Sequence, residues 1–213
     1  MSLPILSSLS AQSIKSYHAK GYWKNETIYA VAKGWAAKTP DAIAVSDRFK
    51  SLTYSELVSE ADNLTSWLLE RGIHQGERVT FWMPDRIESL IVVLACSRGG
   101  FIVCPSPHRN HTVSEVKKLV DQMRAKVFFY QSGFGSDAAE FDIASEIRVC
   151  SSVREFIELA PPEKLGLLFG GQINSSGEPP KPVNEPDRVS YFAFTSGSTG
   201  RPKGVMHSDN TQL

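Results

Sequence analysis

Between residues 78 and 130, short apolar runs alternate with segments of helical periodicity, and this alternation limits the possible folds strongly. The runs Arg78 to Met83, Phe101 to Cys104 and Lys126 to Tyr130 are predicted strands, and helices are predicted over 88–98 and 112–124. Strands separated by single helices form βαβ units, which give a parallel sheet and right-handed crossovers. We therefore predict an α/β fold with layers of helices around a largely parallel sheet, in which the three strands are neighbours.

Capping residues mark where two of the helices begin. Thr53 with Glu56, and Thr112 with Glu115, have the spacing of a capping box, in which each side chain accepts a hydrogen bond from the other residue's backbone N–H group. The first box predicts a helix that runs to Arg71. The second predicts the helix that precedes the strand at 126–130.

The flanking segments carry weaker patterns. Residues 1–20 are rich in Ser and show little periodicity, so we expect a mobile lead-in, followed by a helix from Thr27 to Lys38. A short strand is predicted over Ala42 to Val45, and another over Arg148 to Cys150. Residues 161–186 are rich in Gly, Pro and Ser, which favours a surface excursion.

Composition excludes several classes of function. Lys and Arg number 23, as do Asp and Glu, and no basic block stands out, so a nucleic-acid partner is not expected. The longest apolar run, Leu90 to Cys96, is too short to span a bilayer, and no signal peptide is expected. Cys96, Cys104 and Cys150 are odd in number and lack C-x-x-C spacing, which fits a cytoplasmic protein. Cys96 and Cys104 lie in apolar segments and are interpreted as small buried apolar residues.

The candidate functional site follows the apolar strand Tyr191 to Phe194. A loop of small and hydroxyl-bearing residues comes next, with one lysine just beyond it. Its glycines let the backbone approach a ligand, its hydroxyl groups can donate to phosphate oxygens, and the lysine adds a compact positive charge. The predicted phosphate-binding residues are Thr195, Ser196, Gly197, Ser198, Thr199, Gly200 and Lys203, and Lys203 is also the catalytic candidate.

The same residues allow two other interpretations of this loop. A Walker A loop does not fit, because it would need Gly at position 202 followed by Lys and then Ser or Thr, whereas the chain has Pro202, Lys203 and Gly204. A flexible Gly/Ser linker that happens to carry a lysine has the same composition. From composition alone, that second interpretation stays open.

The stretch from Phe194 to Gly204, FTSGSTGRPKG, resembles the phosphate-binding signature of the adenylate-forming enzymes, which include acyl-CoA synthetases, adenylation domains and luciferases. The resemblance extends upstream to other motifs of the same family. These are LTYSEL at 52–57, GIHQGERV at 72–79, Met83-Pro84, and the segment from Gly99 to Pro105. Glu77 stands where the family usually has Asp. The resemblance covers the chain from about Tyr22 onward.

The resemblance implies the N-terminal part of the adenylate-forming enzyme fold, with residues 21–213 belonging to the large domain. It also implies an acid–thiol ligase that uses ATP, Mg²⁺ and coenzyme A to turn a small carboxylic acid into an acyl-adenylate and then a thioester. Family members are more than twice as long, so we expect this chain alone to be inactive. The alternatives are an adenylation enzyme that delivers to a carrier protein and a non-catalytic paralogue that binds nucleotide.

Two further features bear on the substrate. His207 is a substrate-pocket candidate because many acyl-CoA synthetases have His-Thr-His just after the loop, but Asp209 stands in place of the second histidine. The lead-in from Tyr17 to Trp23 resembles that of aryl-acid and cyclohexanecarboxylate ligases, which implies an aromatic or alicyclic acid. An aromatic clamp that ties down the N-terminal segment is the other interpretation of the same residues.

Overall fold

The computed structural model describes residues 9–106, 108–163, 166–175, 177, 179–195 and 203–213. Within them the helices are α1 (Ala11–Ala19), α2 (Ile28–Lys38), α3 (Tyr54–Glu70), α4 (Ile87–Gly99), α5 (Val113–Met123), α6 (Ile143–Arg148) and α7 (Asp209–Gln212). A 3₁₀ helix covers Leu168–Gly171. The strands are β1 (Ile43–Ser46), β2 (Ser51–Thr53), β3 (Arg78–Trp82), β4 (Ile102–Ser106), β5 (Val127–Gln131), β6 (Glu155–Leu159), β7 (Val189–Thr195) and β8 (Lys203–Ser208).

A six-stranded sheet in the order β6-β5-β3-β4-β7-β8 forms the centre of the fold. Its strands pair in parallel except for β8, which runs antiparallel to β7. β1 and β2 form a separate antiparallel pair. The prediction that β3, β4 and β5 are parallel neighbours is confirmed, since Thr80 pairs with Cys104 on one side and Phe128 on the other.

Each face of the sheet packs against its own helices. Val79, Phe81 and Phe129 belong to a core shared with α2, α3 and α4, whereas Trp82 and Phe128 belong to a core shared with α5 and α6. Successive side chains of a strand point to opposite faces, so the buried strand β3 places Val79 and Phe81 in one core and Trp82 in the other. The predicted layers of helix, sheet and helix are therefore present.

The predicted helix starts are confirmed in atomic detail. Both capping boxes form: the Thr53 side chain accepts from the Glu56 N–H group and the Glu56 carboxylate accepts from Thr53, and Thr112 and Glu115 repeat the arrangement. After α3 the chain turns at Gly72, whose φ of 71° lies in the left-handed region that glycine tolerates.

Two local predictions differ from the structure. Arg148 to Cys150 is not a strand, since Arg148 is the last residue of α6. That helix forms because Asp142 caps its start, and because Ile143 and Ile147, one turn apart, are buried in the core. The strand comes later, as β6. In addition, α1 occupies part of the lead-in for which no helix was predicted. Mobility of residues 1–20 and the domain boundary at residue 21 stay predictions.

The predicted surface excursion is anchored in the core by Phe169 and Ile173, which are both buried. Phe169, in the 3₁₀ helix, is 1% exposed and packs against Phe129, with 5.6 Å between ring centroids. The side chain of Lys50 also donates a hydrogen bond to the carbonyl oxygen of Gly166. The described part of the excursion is thus tied to the core at Phe169 and to the β1–β2 turn at Gly166.

Candidate functional site

The predicted phosphate loop connects β7 to β8, which pair over seven residues of β7. Tyr191 lies opposite His207, Phe194 opposite Gly204, and Thr195 opposite Lys203 at the open end. The hydroxyl group of Thr195 donates to the carbonyl oxygen of Lys203 over 3.4 Å. The fold therefore brings together the first and last residues of the predicted set.

The remaining residues of that set lie outside the part of the chain that the structure describes. They are Ser196, Gly197, Ser198, Thr199 and Gly200, with Arg201 and Pro202 after them. Their phosphate contacts, and the mobility expected of the loop without nucleotide, stay predictions. The structure does describe Thr195 and Lys203, the residues on either side of this segment, and shows how they are paired.

Both described ends of the loop face solvent. Thr195 and Lys203 are exposed, and within the described residues the Lys203 ammonium makes no ion pair. β8 is an edge strand of the sheet, so no other described strand pairs with its outer side. An exposed cation beside a hydroxyl group can receive an anionic ligand without first breaking a competing salt bridge.

His207, the substrate-pocket candidate, lies on β8. Its ring meets the Tyr191 ring edge to face, with 5.9 Å between centroids, and its Nδ1 atom is 3.5 Å from the Thr211 hydroxyl oxygen. A cavity of about 280 Å³ lies between α5 and strands β3, β4 and β7, and His207 is not among its lining residues. The structure thus places His207 against Tyr191, and a substrate contact for it stays a prediction.

The cavity itself is mainly apolar. Two histidines lie at its rim, His108 and His111, whose ring centroids are 5.1 Å apart. Burial lowers the pKa of His111 below its ordinary value, and the neighbouring His108 lowers it further. The other lining residues are Thr80, Cys104, Pro105, Ser106, Val116, Leu119, Val120, Met123, Tyr191, Ala193 and Phe194.

Asp209 does not face a ligand pocket. Its side chain is buried, at 1% exposure, and its Oδ2 atom accepts hydrogen bonds from the Ser97 hydroxyl group (2.6 Å) and the Ile28 backbone N–H group (3.1 Å). Sequence reasoning singled out this position only as a departure from the family's histidine. No local pattern could reveal the contact with Ile28, because 181 residues separate the two.

The aromatic lead-in packs as the clamp interpretation expects. Tyr17 and His18 both contact Trp23, with ring centroids 5.0 Å and 5.9 Å away. His18 Nε2 also lies 2.9 Å from a carboxylate oxygen of Asp187, just before β7. This segment is therefore fastened to the strand that leads into the candidate site.

Other expectations concern features away from the loop. Cys96 and Cys104 are buried, as the sequence predicted, and Cys150 is buried as well; all three are free. In the described ranges, no helix is long and apolar enough to cross a membrane. Those ranges also hold no group of three or more His, Cys, Asp or Glu side chains arranged to bind a metal ion.

Comparison with known proteins identifies the class to which this fold and hairpin belong. A family model described as "AMP-binding enzyme" matches residues 32–213. The chain therefore belongs to the AMP-binding enzyme family, the adenylate-forming enzymes that the loop sequence resembles. The match includes the loop, its two flanking strands and the whole central sheet.

Two curated relatives are ligases or adenylating enzymes by name. The chain is 27% identical over 202 residues to the medium-chain fatty-acid–CoA ligase of Escherichia coli, covering 93% of this chain and 36% of the relative. It is 27% identical over 212 residues to a Streptomyces salicylyl-CoA synthase / salicylate adenylyltransferase, covering 90% of this chain and 36% of that protein. The chain thus spans about a third of the length of these relatives.

Among solved structures, the apo structure of Mycobacterium smegmatis MbtA resembles this chain with a TM-score of 0.75 and 23% identity. The match covers 96% of this chain and 38% of MbtA. At this identity the likeness concerns the fold. It confirms that the mostly parallel sheet and its helices have the arrangement found in the N-terminal region of adenylate-forming enzymes.

Proposed function

We propose that this chain is the N-terminal part of an ATP-dependent acid–thiol ligase. In the proposed reaction, a carboxylate oxygen of the acid attacks the α-phosphorus of ATP, and pyrophosphate leaves as the acyl-adenylate forms. The thiol of coenzyme A then attacks the acyl carbon, and AMP leaves as the thioester forms. The observation that carries the proposal is the exposed pair Thr195–Lys203 at the mouth of the β7–β8 loop, within the family match.

The described residues fit the phosphate part of ATP. Thr195 can donate its hydroxyl proton to a phosphate oxygen, because its present acceptor, the Lys203 carbonyl oxygen, is 3.4 Å away and weakly held. The Lys203 ammonium can stabilise the negative charge that develops on the departing pyrophosphate. The pair therefore contributes position and electrostatics, and Ser196, Gly197, Ser198, Thr199 and Gly200 would supply the other phosphate contacts.

Magnesium is proposed only as the companion of ATP. The described residues hold no cluster of carboxylates or histidines that could bind it, so no step is derived through the metal. We place the enzyme in the cytoplasm, which the three free cysteines support.

For the acid and the acceptor, the support comes from relatives. The Streptomyces relative's name combines adenylate transfer with formation of a CoA thioester of salicylate, an aromatic acid. The lead-in Tyr17–Trp23 resembles that of aryl-acid and alicyclic-acid ligases. We therefore propose a small carboxylic acid of aromatic or alicyclic type as substrate and coenzyme A as the thiol, with His207 near the acyl group.

Binding and exchange measurements test the proposal in two steps. Titration of this chain with ATP, followed by its tryptophan fluorescence, should give saturable binding, and absence of binding would contradict the phosphate site. ATP–pyrophosphate exchange with a panel of carboxylic acids should be absent for this chain alone. It should be present, for one class of acid, in the complete protein if the chain is part of a longer one.

The thiol acceptor is tested separately. After exchange has identified the acid, thioester formation is measured with coenzyme A and with a phosphopantetheine-bearing carrier protein. Transfer to coenzyme A alone supports the ligase, and transfer to the carrier alone would identify a carrier-loading adenylation enzyme instead.

A further inference from the structure

The residues that follow β8 are held by the N-terminal segment of the chain. Asp209 Oδ2 accepts from the Ile28 N–H group, and the Ser97 hydroxyl group, which donates to Asp209, itself accepts from the Tyr29 N–H group at 3.1 Å. The first N–H groups of a helix lack partners within the helix, and a carboxylate there is favourable. Thr27 is the N-cap residue of α2 and accepts from the Ala30 N–H group, and Asp209 adds an acceptor for the Ile28 N–H group, with Ser97 of α4 as the bridge.

A second set of contacts repeats the connection one residue later. The Asn210 side chain accepts a hydrogen bond from the Lys24 N–H group at 2.9 Å and donates one to Asp187 at 2.7 Å. The Asp187 carboxylate in turn accepts a hydrogen bond from His18 Nε2 at 2.9 Å. We call the contacts of His18, Lys24 and Ile28 with Asp187, Asn210 and Asp209 the N-terminal clasp.

The clasp contains a buried charge with a nearby counter-charge. The Arg188 guanidinium donates to the carbonyl oxygens of Ser97 and Phe101 at 2.9 Å and 3.0 Å, at the end of α4. Burial lowers the pKa of Arg188, and the charge of Asp209 opposes that shift. Among the described residues no hydrogen bond joins Arg188 to Asp209, so the two charges attract each other without direct contact, and the Asp209 Oδ2 hydrogen bonds to Ile28 and Ser97 hold the carboxylate in place.

Toward the loop, the described part of the β7–β8 hairpin makes few strand pairings with the rest of the sheet. In the described residues, β7 joins the parallel sheet through a single register pair, Val103 with Tyr191. Among the described strands, β8 pairs with β7 alone, and Lys203, Gly204 and Val205 are exposed. The far end of β8 is different: Ser208 and Asp209 are 2% and 1% exposed.

These observations point to one role for the clasp. We infer that Asp209 is a positioning residue, which anchors the end of β8 against α2 and α4 and thereby sets where Lys203 stands opposite Thr195. The inference rests on the proposed function for its effect on ATP, but not for its effect on the hairpin. It assigns the aromatic lead-in a purpose as well, because His18 secures the clasp through Asp187.

The test compares Asp209→Ala with a matched control on the same helix, Tyr29→Phe. The control removes the 2.6 Å hydrogen bond from the Tyr29 hydroxyl group to Asp62, on the side of α2 that faces α3. Two quantities are measured in each protein: amide hydrogen exchange of residues 204–207 and the dissociation constant for ATP. The melting temperature of each variant is also measured, so that the two variants can be compared at a known loss of stability.

The expected result is specific to the clasp. Asp209→Ala should speed exchange in β8 about tenfold and weaken ATP binding about fivefold, whereas Tyr29→Phe should leave both within twofold of the parent. Asp209→Asn retains an acceptor oxygen and should recover most of both effects. If Asp209→Ala does not fold, Ser97→Ala carries the same expectation, because it removes the bridge without changing charge.

The two proposals fail in different ways. If the parent protein binds no ATP, the proposed function is wrong, and β8 exchange alone still decides the positioning role. If the clasp variants exchange β8 amides and bind ATP as the parent does, the positioning role is overturned while the phosphate site stands.

Discussion

Thr195 and Lys203 face each other as the last register pair of the β7–β8 hairpin, with the Thr195 hydroxyl oxygen 3.4 Å from the Lys203 carbonyl oxygen. The pairing fixes the backbone at both ends of the loop before any ligand arrives. It leaves the Lys203 ammonium exposed and, within the described residues, without an ion pair. The lysine side chain is therefore dispensable for the hairpin and available for phosphate.

Lys203→Ala should impair adenylation far more than folding. Losing a charge directed at pyrophosphate should cost about 1–3 kcal/mol, or about 5- to 150-fold in ATP–pyrophosphate exchange by the complete protein. Melting temperature should change little, since the strand pairing is made by the backbone. Lys118→Ala, on the exposed side of α5, controls for the loss of one positive charge. A folded Lys203→Ala protein with full exchange activity would make Arg201 the next candidate.

Gly99 and Gly34 should respond oppositely to alanine. A Cβ atom at Gly99 would lie 2.8 Å from Cζ of the Phe101 ring, which is fully buried, so Gly99→Ala should destabilise the protein by about 1–3 kcal/mol. A Cβ at Gly34, in α2, meets nothing within 4 Å. Gly34→Ala should stabilise by about 0.5–1 kcal/mol, because alanine has the better helix propensity. Urea unfolding measures both, and equal stabilities would contradict the packing at Gly99.

The central sheet could be predicted from the sequence because its signals are local. The apolar runs at 78–83, 101–104 and 126–130 are separated by single capped helices, and right-handed crossovers leave few arrangements for them. The loop could be predicted for the same reason, since hydroxyl groups, glycines and a lysine stand within nine residues. Membership of the AMP-binding enzyme family confirms that interpretation at family level.

What could not be predicted depends on long-range contacts or very short elements. α6 has six residues, too few to show a period, so Arg148 was assigned to a strand. Phe169 stands in a Gly-rich segment whose sequence indicates a surface excursion, yet it fills the core against Phe129. Asp209 stands in a polar segment that resembles an ordinary surface turn, and the folded chain brings Ile28 and Ser97 to it from distant positions in the sequence.

The three thiols should be unreactive in the folded protein. Cys96, Cys104 and Cys150 are at most 4% exposed, and burial raises the pKa of each above its ordinary value. The thiolate is the reactive form, so both exclusion and protonation slow attack. A chromogenic disulfide reagent at pH 8 should react with none of them over minutes and with all three after unfolding in urea. Rapid reaction of one thiol in the native state would show that its cover opens.

Asp47 should make stability depend on acid pH. Burial alone would raise the pKa of its carboxyl group, but the backbone N–H groups of Phe49, Lys50 and Ile87, with the Lys50 charge, together lower it below the ordinary 3.8. The N–H group of Ile87 opens α4, whose own N-cap residue Arg86 makes no side-chain cap, so Asp47 supplies that cap from the β1–β2 turn. Loss of the carboxylate should therefore weaken α4 as well as the turn.

A depressed pKa means that the stabilisation is present above the unfolded-state value and is lost as pH falls through the folded-state value. Asp47→Asn should accordingly lower the free energy of unfolding by about 1 kcal/mol at pH 7, the usual worth of a helix cap. The difference between parent and variant should shrink from about pH 4 downward, as the parent's carboxylate becomes protonated. Urea unfolding from pH 7 to pH 3 measures this, with Asp41→Asn, at an exposed neighbouring position, as the control. A difference that stayed constant over that range would mean that the carboxylate charge of Asp47 contributes nothing beyond the shape of its side chain.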